Sequence, residues 1–266
     1  MTSIANMGDV VGNDIFDGLR SLGVQSGDLL LAHSSLSSFG RVVGGTAAVV
    51  DALIESVSPG GTVIMPTFNY GTLPYDPATT PSLTGAITEA FWRLPGAIRS
   101  GHPTHSFAGI GPLADELLAG HDYDHTVGRR SPLWKLWERN SWVLLIGCDH
   151  TASSMIHVAE EAMNVPHRGR TRVAHVLRGT KVTDVVVGRP GCSHGFNAID
   201  KPLRAAGAVR ETTIGSARLM LMRARDTVTA AGNLLKQDPA ALLCDQPNCE
   251  RCAWSRKVIS EHSRSA

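Results

Sequence analysis

The sequence predicts an α/β fold with a mostly parallel central sheet, flanking helices and an antiparallel C-terminal extension. Short apolar runs at residues 29–33, 62–66 and 142–147 alternate with segments of helical periodicity. This alternation is typical of βαβ units, whose strands lie parallel in one sheet. After residue 170 the pattern changes to pairs of strand-like segments separated by short turns, which is typical of antiparallel hairpins.

The predicted helices carry apolar residues every three or four positions. The first of them covers residues 10–22 and has apolar side chains at Val11, Ile15, Leu19 and Leu22. The other predicted helices cover residues 46–57, 85–94, 113–118, 131–138, 155–163, 197–206 and 226–237. Residues 106–110 form a further predicted strand, and the predicted hairpins pair 172–177 with 182–187 and 208–214 with 217–222. Residues 69–82 lack any periodicity, and a loop of this length is more often functional than passive.

The composition is that of a globular protein with little net charge. Of the 266 residues, 42% are hydrophobic and 18% are charged, and 25 basic against 24 acidic residues leave a net charge of +1. A nucleic-acid partner normally requires a strongly basic face, so we expect none. No apolar run approaches the roughly 18 residues of a membrane span, and no signal-peptide pattern begins the sequence. We therefore expect a soluble, cytoplasmic protein with no membrane partner. The sequence leaves the oligomeric state open.

The order of predicted strands and helices indicates a single domain over residues 1–266. Residues 170–266 would form its antiparallel and helical extension. Their cysteines could bind a zinc ion that stabilises this extension.

The first candidate for catalysis is His157, on the helix that follows the clearest central strand. In open α/β sheets ligands bind at the carboxyl ends of the strands, which is where this helix begins. Glu160 and Glu161 follow at three and four positions, so either carboxylate can lie on the same helical face as the imidazole. A neighbouring carboxylate fixes the histidine tautomer and supports the imidazolium, as a general base requires. The alternative interpretation is an ordinary His–Glu pair on a helix surface.

Two polar segments lie next to predicted strands. Residues 100–107 contain two histidines and several hydroxyl side chains, which could bind a ligand or only form a turn. The serine-rich residues 32–40 lead to Gly44 and Gly45 at the start of a helix, where backbone N–H groups could bind a pyrophosphate. A serine-rich cap and turn is the alternative. The glycine motif of dinucleotide sites and the phosphate-loop lysine are both absent from the sequence.

The five cysteines are an odd number, which favours metal binding, catalysis or burial over a disulfide framework. Cys244, Cys249 and Cys252 include one Cys-x2-Cys pair, which is half of a typical zinc site. Free thiols are the alternative. The fourth ligand could be Cys192, His194 or His262. Cys148 is typical of an apolar core position, and a nucleophilic role with His150 would require two nearby side chains to align.

Seven short motifs follow one another along the chain. They are His-Ser-Ser-Leu at 33–36 with Val-Gly-Gly at 43–45, Gly-Gly-Thr-Val-Ile-Met-Pro-Thr at 60–67, Tyr-Asp-Pro-Ala-Thr-Thr-Pro-Ser at 75–82, Arg-Ser-Gly-His-Pro-Thr-His-Ser at 99–106, Ser-Pro-Leu at 131–133, Leu-Leu-Ile-Gly at 144–147 and the helix start at 154–160. Together they resemble the aminoglycoside 3-N-acetyltransferase family, a group of antibiotic N-acetyltransferases unrelated to the GNAT fold.

The resemblance implies an acetyl-CoA-dependent transfer to the 3-amino group of the deoxystreptamine ring of an aminoglycoside. It implies that His157 is the catalytic histidine. As a general base His157 would be oriented by a carboxylate, for which we prefer Glu160 over Glu161. The positions that match the family's acetyl-CoA-binding residues are Ser34, Ser35, Leu36, Ser37, Val42, Val43, Gly44, Thr104 and Ser106. The carboxylates available to a polycationic acceptor, besides Glu160, are Asp76, Asp122, Asp124 and Glu161. Cysteine or histidine ligands in some relatives imply a structural zinc ion at Cys192, Cys244, Cys249 and Cys252.

Two departures from the family pattern bear on the acceptor. In several aminoglycoside-modifying members the loop that corresponds to residues 69–75 is longer and more acidic, whereas here it has no acidic residue before Asp76. The second departure is His105, which is more typical of members whose acceptor is unproven. Both departures concern the acceptor and not the acyl transfer, so another small amine is the alternative acceptor. Two other functions stay open: a metal-dependent hydrolase built on the histidine-rich segments, and a zinc-stabilised module that binds a partner.

Overall fold

The computed structural model describes residues 8–121, 123, 126–168 and 170–265. Within these residues the strands are β1 (Leu29–Ser34), β2 (Thr62–Pro66), β3 (Ile98–Arg99), β4 (Phe107–Ile110), β5 (Trp142–Ile146), β6 (Thr171–Arg178), β7 (Lys181–Gly188), β8 (Arg210–Ile214) and β9 (Ala217–Arg223). The α-helices are α1 (Gly12–Leu22), α2 (Gly45–Val57), α3 (Ala86–Trp92), α4 (Ala114–Leu118), α5 (Pro132–Glu138), α6 (Ile156–Ala162), α7 (Asp200–Ala205), α8 (Ala224–Gln237) and α9 (Glu250–Ser265).

In the described part of the chain, seven strands form the central sheet, in the order β3-β4-β2-β1-β5-β9-β8. The three central strands β2, β1 and β5 are parallel neighbours, and only β4 and β9 run in the opposite direction. Five of the seven strands therefore share one direction, and the predicted α/β class is confirmed. The hairpin of β8 and β9 extends this sheet by pairing with β5, whereas β6 and β7 form a separate two-stranded sheet.

Two apolar cores lie on opposite faces of the central sheet. Leu30 and Leu144 pack with helices α1, α2 and α3, whereas Leu31 and Val143, the next residues on the same strands, pack with α4–α8. Successive side chains of a strand point to opposite faces. Because both faces are covered, every residue of β2 and β5 is buried, which explains their continuous apolar sequences.

The structure adds elements that the sequence analysis did not predict. Strand β3 has only two residues, too few for a period to be recognised, and α9 carries few apolar residues among many charged ones. The predicted helix over 197–206 is a short 3-10 turn followed by α7. Within the described residues, none of the helices combines the length and the apolar composition that crossing a bilayer requires.

The carboxyl ends of β1, β2 and β5 meet at one edge of the sheet because these strands are parallel. Helix α6 begins shortly after β5 at this edge. Tyr75 links the long loop after β2 to the two-stranded sheet through backbone hydrogen bonds to His175 and Leu177. The small sheet is therefore fixed close to the strand ends.

Candidate active site

A cavity of about 710 Å³ lies at this edge of the sheet. The ends of β1 and β2 contribute His33, Ser34 and Pro66 to its lining, and the segment after β5 contributes Cys148 and residues 151–154. The C-terminal half of the chain contributes three arginines, Arg172, Arg189 and Arg251. The position agrees with the rule that open α/β sheets bind ligands at the carboxyl ends of their strands.

His157 projects from the first turn of α6 and lines the cavity. Its Nδ1 lies 2.6 Å from Glu160 Oε2, the carboxylate three residues further along the helix. The imidazole packs edge-on against Phe196, with 4.8 Å between ring centroids. Since Glu160 occupies Nδ1, Nε2 is the nitrogen that remains available to a molecule bound in the cavity.

Glu160 is buried and nevertheless ionised. Burial alone would raise the pKa of the carboxyl group, but the charges and hydrogen bonds of His157 and His167 outweigh it and lower this pKa to about 2. His167 Nε2 lies 3.7 Å from Glu160 Oε1, on the side away from His157. His167 lies in an irregular segment after α6, where no spacing rule connects it to Glu160, so the sequence alone does not identify it.

Two other histidines line the cavity in their neutral form. Burial lowers the pKa of His33 to about 4, and its Nε2 accepts a hydrogen bond from the Ser154 backbone N–H at 3.3 Å. The pKa of His105 is also far below its usual value, because of burial and of the positive charges of Arg172 and His157. Among the described residues, neither imidazole has a carboxylate partner comparable to Glu160, which distinguishes His157 as the candidate base.

Cys148 lines the cavity, but its environment disfavours the thiolate. Burial raises the pKa of the thiol to about 12. A nucleophilic cysteine needs the opposite shift. This observation disfavours the nucleophile hypothesis for Cys148 and agrees with an apolar role at the strand end.

Of the residues predicted to bind acetyl-CoA, Ser34 lines the cavity. Ser35, Leu36 and Ser37 lie in and just before a 3-10 turn beside it, and the Ser35 and Ser37 hydroxyls are 3.2 Å apart. The other predicted positions are Val42, Val43 and Gly44 before α2, and Thr104 and Ser106 in the loop before β4. None of these five is among the residues that line the cavity.

Thr104 and Ser106 are fully buried behind the cavity wall. The Thr104 hydroxyl lies 2.8 Å from His105 Nδ1, and the Ser106 hydroxyl donates to the backbone carbonyl of Thr67 at 2.8 Å. In this arrangement both hydroxyls hold the loop that carries His105.

The carboxylates predicted to bind a polycationic acceptor do not lie together. Asp76 accepts hydrogen bonds from the Ala78 backbone and the Thr79 hydroxyl, which closes a turn outside the cavity. Glu161 forms an ion pair with Arg168 at 2.8 Å and lines a smaller cavity next to the large one. Asp122 and Asp124 lie outside the described residues.

The four cysteines predicted as metal ligands lie together. Their sulfur atoms are all within 4.8 Å of one another, with Cys192 and Cys244 at 3.8 Å and Cys244 and Cys252 at 3.5 Å. Tetrahedral zinc with Zn–S bonds of about 2.3 Å holds sulfur atoms about 3.8 Å apart, so the four thiols fit this ion. His194 instead contacts Gln246, which leaves Cys192 as the fourth member of the cluster.

The chain matches the model of the aminoglycoside 3-N-acetyltransferase family over residues 31–236. It is 34% identical to aminoglycoside N(3)-acetyltransferase IV of a Salmonella species, over 85% of this chain and 87% of that protein. It is 31% identical to aminoglycoside N(3)-acetyltransferase IX of Micromonospora chalcea, over 86% of this chain and 94% of that protein.

The fold is similar to that of aminoglycoside acetyltransferase AAC(3)-IVa. Its apoenzyme crystal structure has a TM-score of 0.86 and 31% identity, over 96% of this chain and 100% of that one. A histidine-to-alanine mutant of AAC(3)-IVa, solved in complex with a gentamicin, has the same TM-score over 95% and 98% of the two chains. The family expected from the seven motifs is thereby confirmed. The chain belongs to the aminoglycoside 3-N-acetyltransferase family, whose members are acyltransferases.

Proposed function

We propose that the protein transfers the acetyl group of acetyl-CoA directly to an amine bound in the large cavity, with His157 as the general base. The observation that carries the proposal is the 2.6 Å contact between His157 Nδ1 and the Glu160 carboxylate, at the cavity on the strand ends. The relatives are named as aminoglycoside N(3)-acetyltransferases, and one was solved with a gentamicin. The reference acceptor is therefore the 3-amino group of an aminoglycoside, with another small amine as the alternative.

The base is needed because an amine is protonated at neutral pH and an ammonium ion cannot attack a carbonyl. Glu160 accepts a hydrogen bond from Nδ1–H, so Nε2 carries the lone pair that takes the proton from the amine. The ionised Glu160 then stabilises the imidazolium, which can return the proton to the departing thiolate. General base catalysis of this kind contributes roughly 10²- to 10⁴-fold. Acetyl-CoA, when bound, supplies the activated thioester carbonyl.

A hydroxyl group is available to stabilise the negative charge that develops on the carbonyl oxygen. The Ser34 hydroxyl is buried, lines the cavity and has no hydrogen-bond partner among the described residues. The backbone N–H of Ser35, in contrast, already donates to the Ile146 carbonyl. Ser34 is therefore the better candidate donor to the oxyanion, a role that is worth most in a water-excluded cavity.

The test of this proposal is the His157→Ala variant. We expect acetylation to fall by roughly 10²-fold or more, because the proton acceptor is lost, while acetyl-CoA binding is retained. Release of free CoA, followed with a thiol reagent across a panel of aminoglycosides and simple amines, measures the rate. Titration calorimetry with acetyl-CoA measures binding.

His175→Ala is the matched control, because His175 is exposed on β6 and pairs with Asp184 at 2.8 Å outside the cavity. Near-normal turnover of His157→Ala would contradict the assignment of the base. Loss of turnover in both variants would indicate unfolding rather than lost chemistry.

We also propose a structural zinc ion in the four-cysteine cluster. The thiolates would hold it, and four protein ligands leave no open position for substrate or water. Within the described part of the chain, this cluster is the only group of histidine, cysteine and acidic side chains placed to hold a metal. That arrangement supports a structural zinc ion and disfavours a metal-dependent hydrolase. The proposed setting is the cytoplasm, where thiols stay reduced.

A further inference from the structure

The wall that the C-terminal half contributes to the large cavity is strongly cationic. Arg172 projects from β6, Arg189 directly follows β7, and Arg251 lies in the first turn of α9. Among the described residues that line this cavity there is no aspartate or glutamate. We call these three side chains the arginine wall.

Within the described residues, no carboxylate neutralises the arginine wall. None of its members forms an ion pair in the part of the chain that the structure describes. Among the described residues, Arg172 Nε is buried without a hydrogen-bond partner, and Arg251 Nη1 donates only to the Gly191 carbonyl, at 3.3 Å. The two described carboxylates next to this cavity are already engaged, Glu160 by His157 and Glu161 by Arg168. A partly buried, unpaired guanidinium is unfavourable unless a ligand supplies the opposite charge.

The arginine wall adjoins the proposed base. The carbonyl of Gly191 accepts from Arg251, and a Cβ atom on Gly191 would lie 3.6 Å from Glu160 Oε1, so this backbone passes between the two side chains. The positive charges of Arg172, His157 and Arg251 all lower the pKa of His105, after the larger effect of burial. His105 and these three groups line the same cavity.

This position argues for the acceptor rather than for the phosphate groups of CoA. In acetyl-CoA the pantetheine arm separates the thioester from the diphosphate. With the thioester beside His157, the phosphates lie at the far end of that arm and cannot also lie beside Glu160. The acceptor, in contrast, must place its amine at His157 and its remaining groups against the surrounding wall. Guanidinium groups bind carboxylate and phosphate oxygens in bidentate pairs and repel ammonium groups.

We propose that the arginine wall is an anion-binding subsite for the acceptor, and that the protein acetylates small amines that carry a carboxylate or a phosphate group. The inference rests on the proposed acetyl transfer by His157. The acceptor amine forms a C–N bond to the thioester carbonyl and its proton passes to His157. The C–S bond then breaks, and the departing CoA thiolate takes the proton from His157. The carboxylate or phosphate remains bound to the arginines unchanged. This is a class of acceptor distinct from the polycationic aminoglycosides.

The experiment compares amino acids and aminoalkyl phosphates with uncharged amino alcohols of the same chain length, and with gentamicin as the polycation. For the wild-type protein we expect kcat/KM to be about tenfold or more higher for the anionic amines, as a charge-assisted hydrogen bond allows. Arg172→Gln and, separately, the exposed Arg189→Gln should raise KM for the anionic amines about tenfold. Arg178→Gln is the matched control, because Arg178 ends the same strand β6 but does not line the cavity.

Each outcome bears on one proposal or the other. Equal rates for anionic amines and amino alcohols would overturn the subsite and leave the proposed function standing. Weaker acetyl-CoA binding by Arg172→Gln and Arg189→Gln, measured by calorimetry, would assign the arginines to CoA and also overturn it. If no amine is acetylated but an aminoalkyl phosphate binds in an Arg172-dependent manner, the subsite stands and the proposed function fails.

Discussion

Glu160 is the residue on which the proposed base depends, because it is both buried and ionised. Its pKa of about 2 keeps the carboxylate charged throughout the neutral and mildly acidic range. The charged Glu160 carboxylate accepts the hydrogen bond from His157, so it fixes the proton on Nδ1 and stabilises the imidazolium that forms during transfer. The cost of burying this charge is offset by two histidines, His157 and His167.

The Glu160→Gln variant should therefore lose activity without losing its fold. The amide keeps the size of the side chain but removes the charge that orients and stabilises the imidazole. We expect kcat to fall by roughly 10²- to 10⁴-fold, by analogy with amide replacement of the carboxylate in a His–Asp pair. Steady-state kinetics measure the loss, and thermal unfolding verifies the fold.

Glu161→Gln is the control for the same helix turn. Glu161 lies four positions from His157, which the spacing alone permits as well, but its carboxylate forms an ion pair with Arg168. We expect this variant to retain most of its activity. A larger loss in Glu161→Gln than in Glu160→Gln would move the orienting role to Glu161.

At the scale of single residues, the sequence predicted the side-chain contacts that depend on spacing along one helix. The His157–Glu160 pair follows from a separation of three positions on one helix. The three members of the arginine wall come from β6, from the residue after β7 and from α9. No local pattern connects these segments, since only the tertiary fold brings them together. His167 was missed for the same reason.

At the scale of elements, the position directly after β5 leaves no room for a side chain. Gly147 follows β5 directly and has φ of +60°, in the left-handed region that favours glycine. Its Cα faces the Ser38 side chain so closely that an added Cβ atom would overlap it. Gly147 therefore allows the 3-10 turn after β1 to pack against the end of β5.

The Gly147→Ala variant should be destabilised by about 3 kcal/mol, from the left-handed backbone and from the steric overlap together. Gly179→Ala isolates the backbone effect, because Gly179 has nearly the same φ, +61°, at the tip of the hairpin of β6 and β7, with no atom within 4 Å of the added methyl group. For that control we expect a loss of about 1 kcal/mol. Urea unfolding measures both free energies, and equal losses would show that the overlap is relieved without cost.

The elements that the sequence predicted are those with a strong period or a continuous apolar run. Strand β5 and helices α1 and α8 are found within two residues of their predicted bounds. Strand β3 is defined only by its pairing with β4. Helix α9 has almost no apolar stripe, and of the side chains described in it only Cys252 and Ser255 are buried. The position of α9 is set by its contacts with distant parts of the chain, and hydrophobic periodicity does not indicate such contacts.

At the scale of the whole molecule, the cysteine cluster joins three distant segments. Cys192 follows β7, Cys244 follows α8, and Cys252 lies in the first turn of α9 beside Arg251. The cluster anchors the first turn of α9, and two further contacts hold the helix: Arg256 Nη2 donates to the Cys244 carbonyl at 2.9 Å, and the Arg170 guanidinium lies over the Trp254 ring. Because Arg251 is next to Cys252, the proposed zinc ion connects the stability of the C-terminal half to acceptor binding.

The protein should accordingly contain about one zinc ion per chain, and Cys252→Ser should remove it. We expect the loss to lower the unfolding midpoint by several degrees, since each kcal/mol shifts it by about 2–4 °C in a domain of this size. Proteolysis should then cut α9 first, because a helix released from its anchor exposes its backbone. Elemental analysis, thermal unfolding and limited proteolysis measure the three effects. Cys148→Ser, outside the cluster, should keep its metal content. Purified wild-type protein free of zinc, with an unchanged midpoint after zinc is added, would refute this role of the cluster.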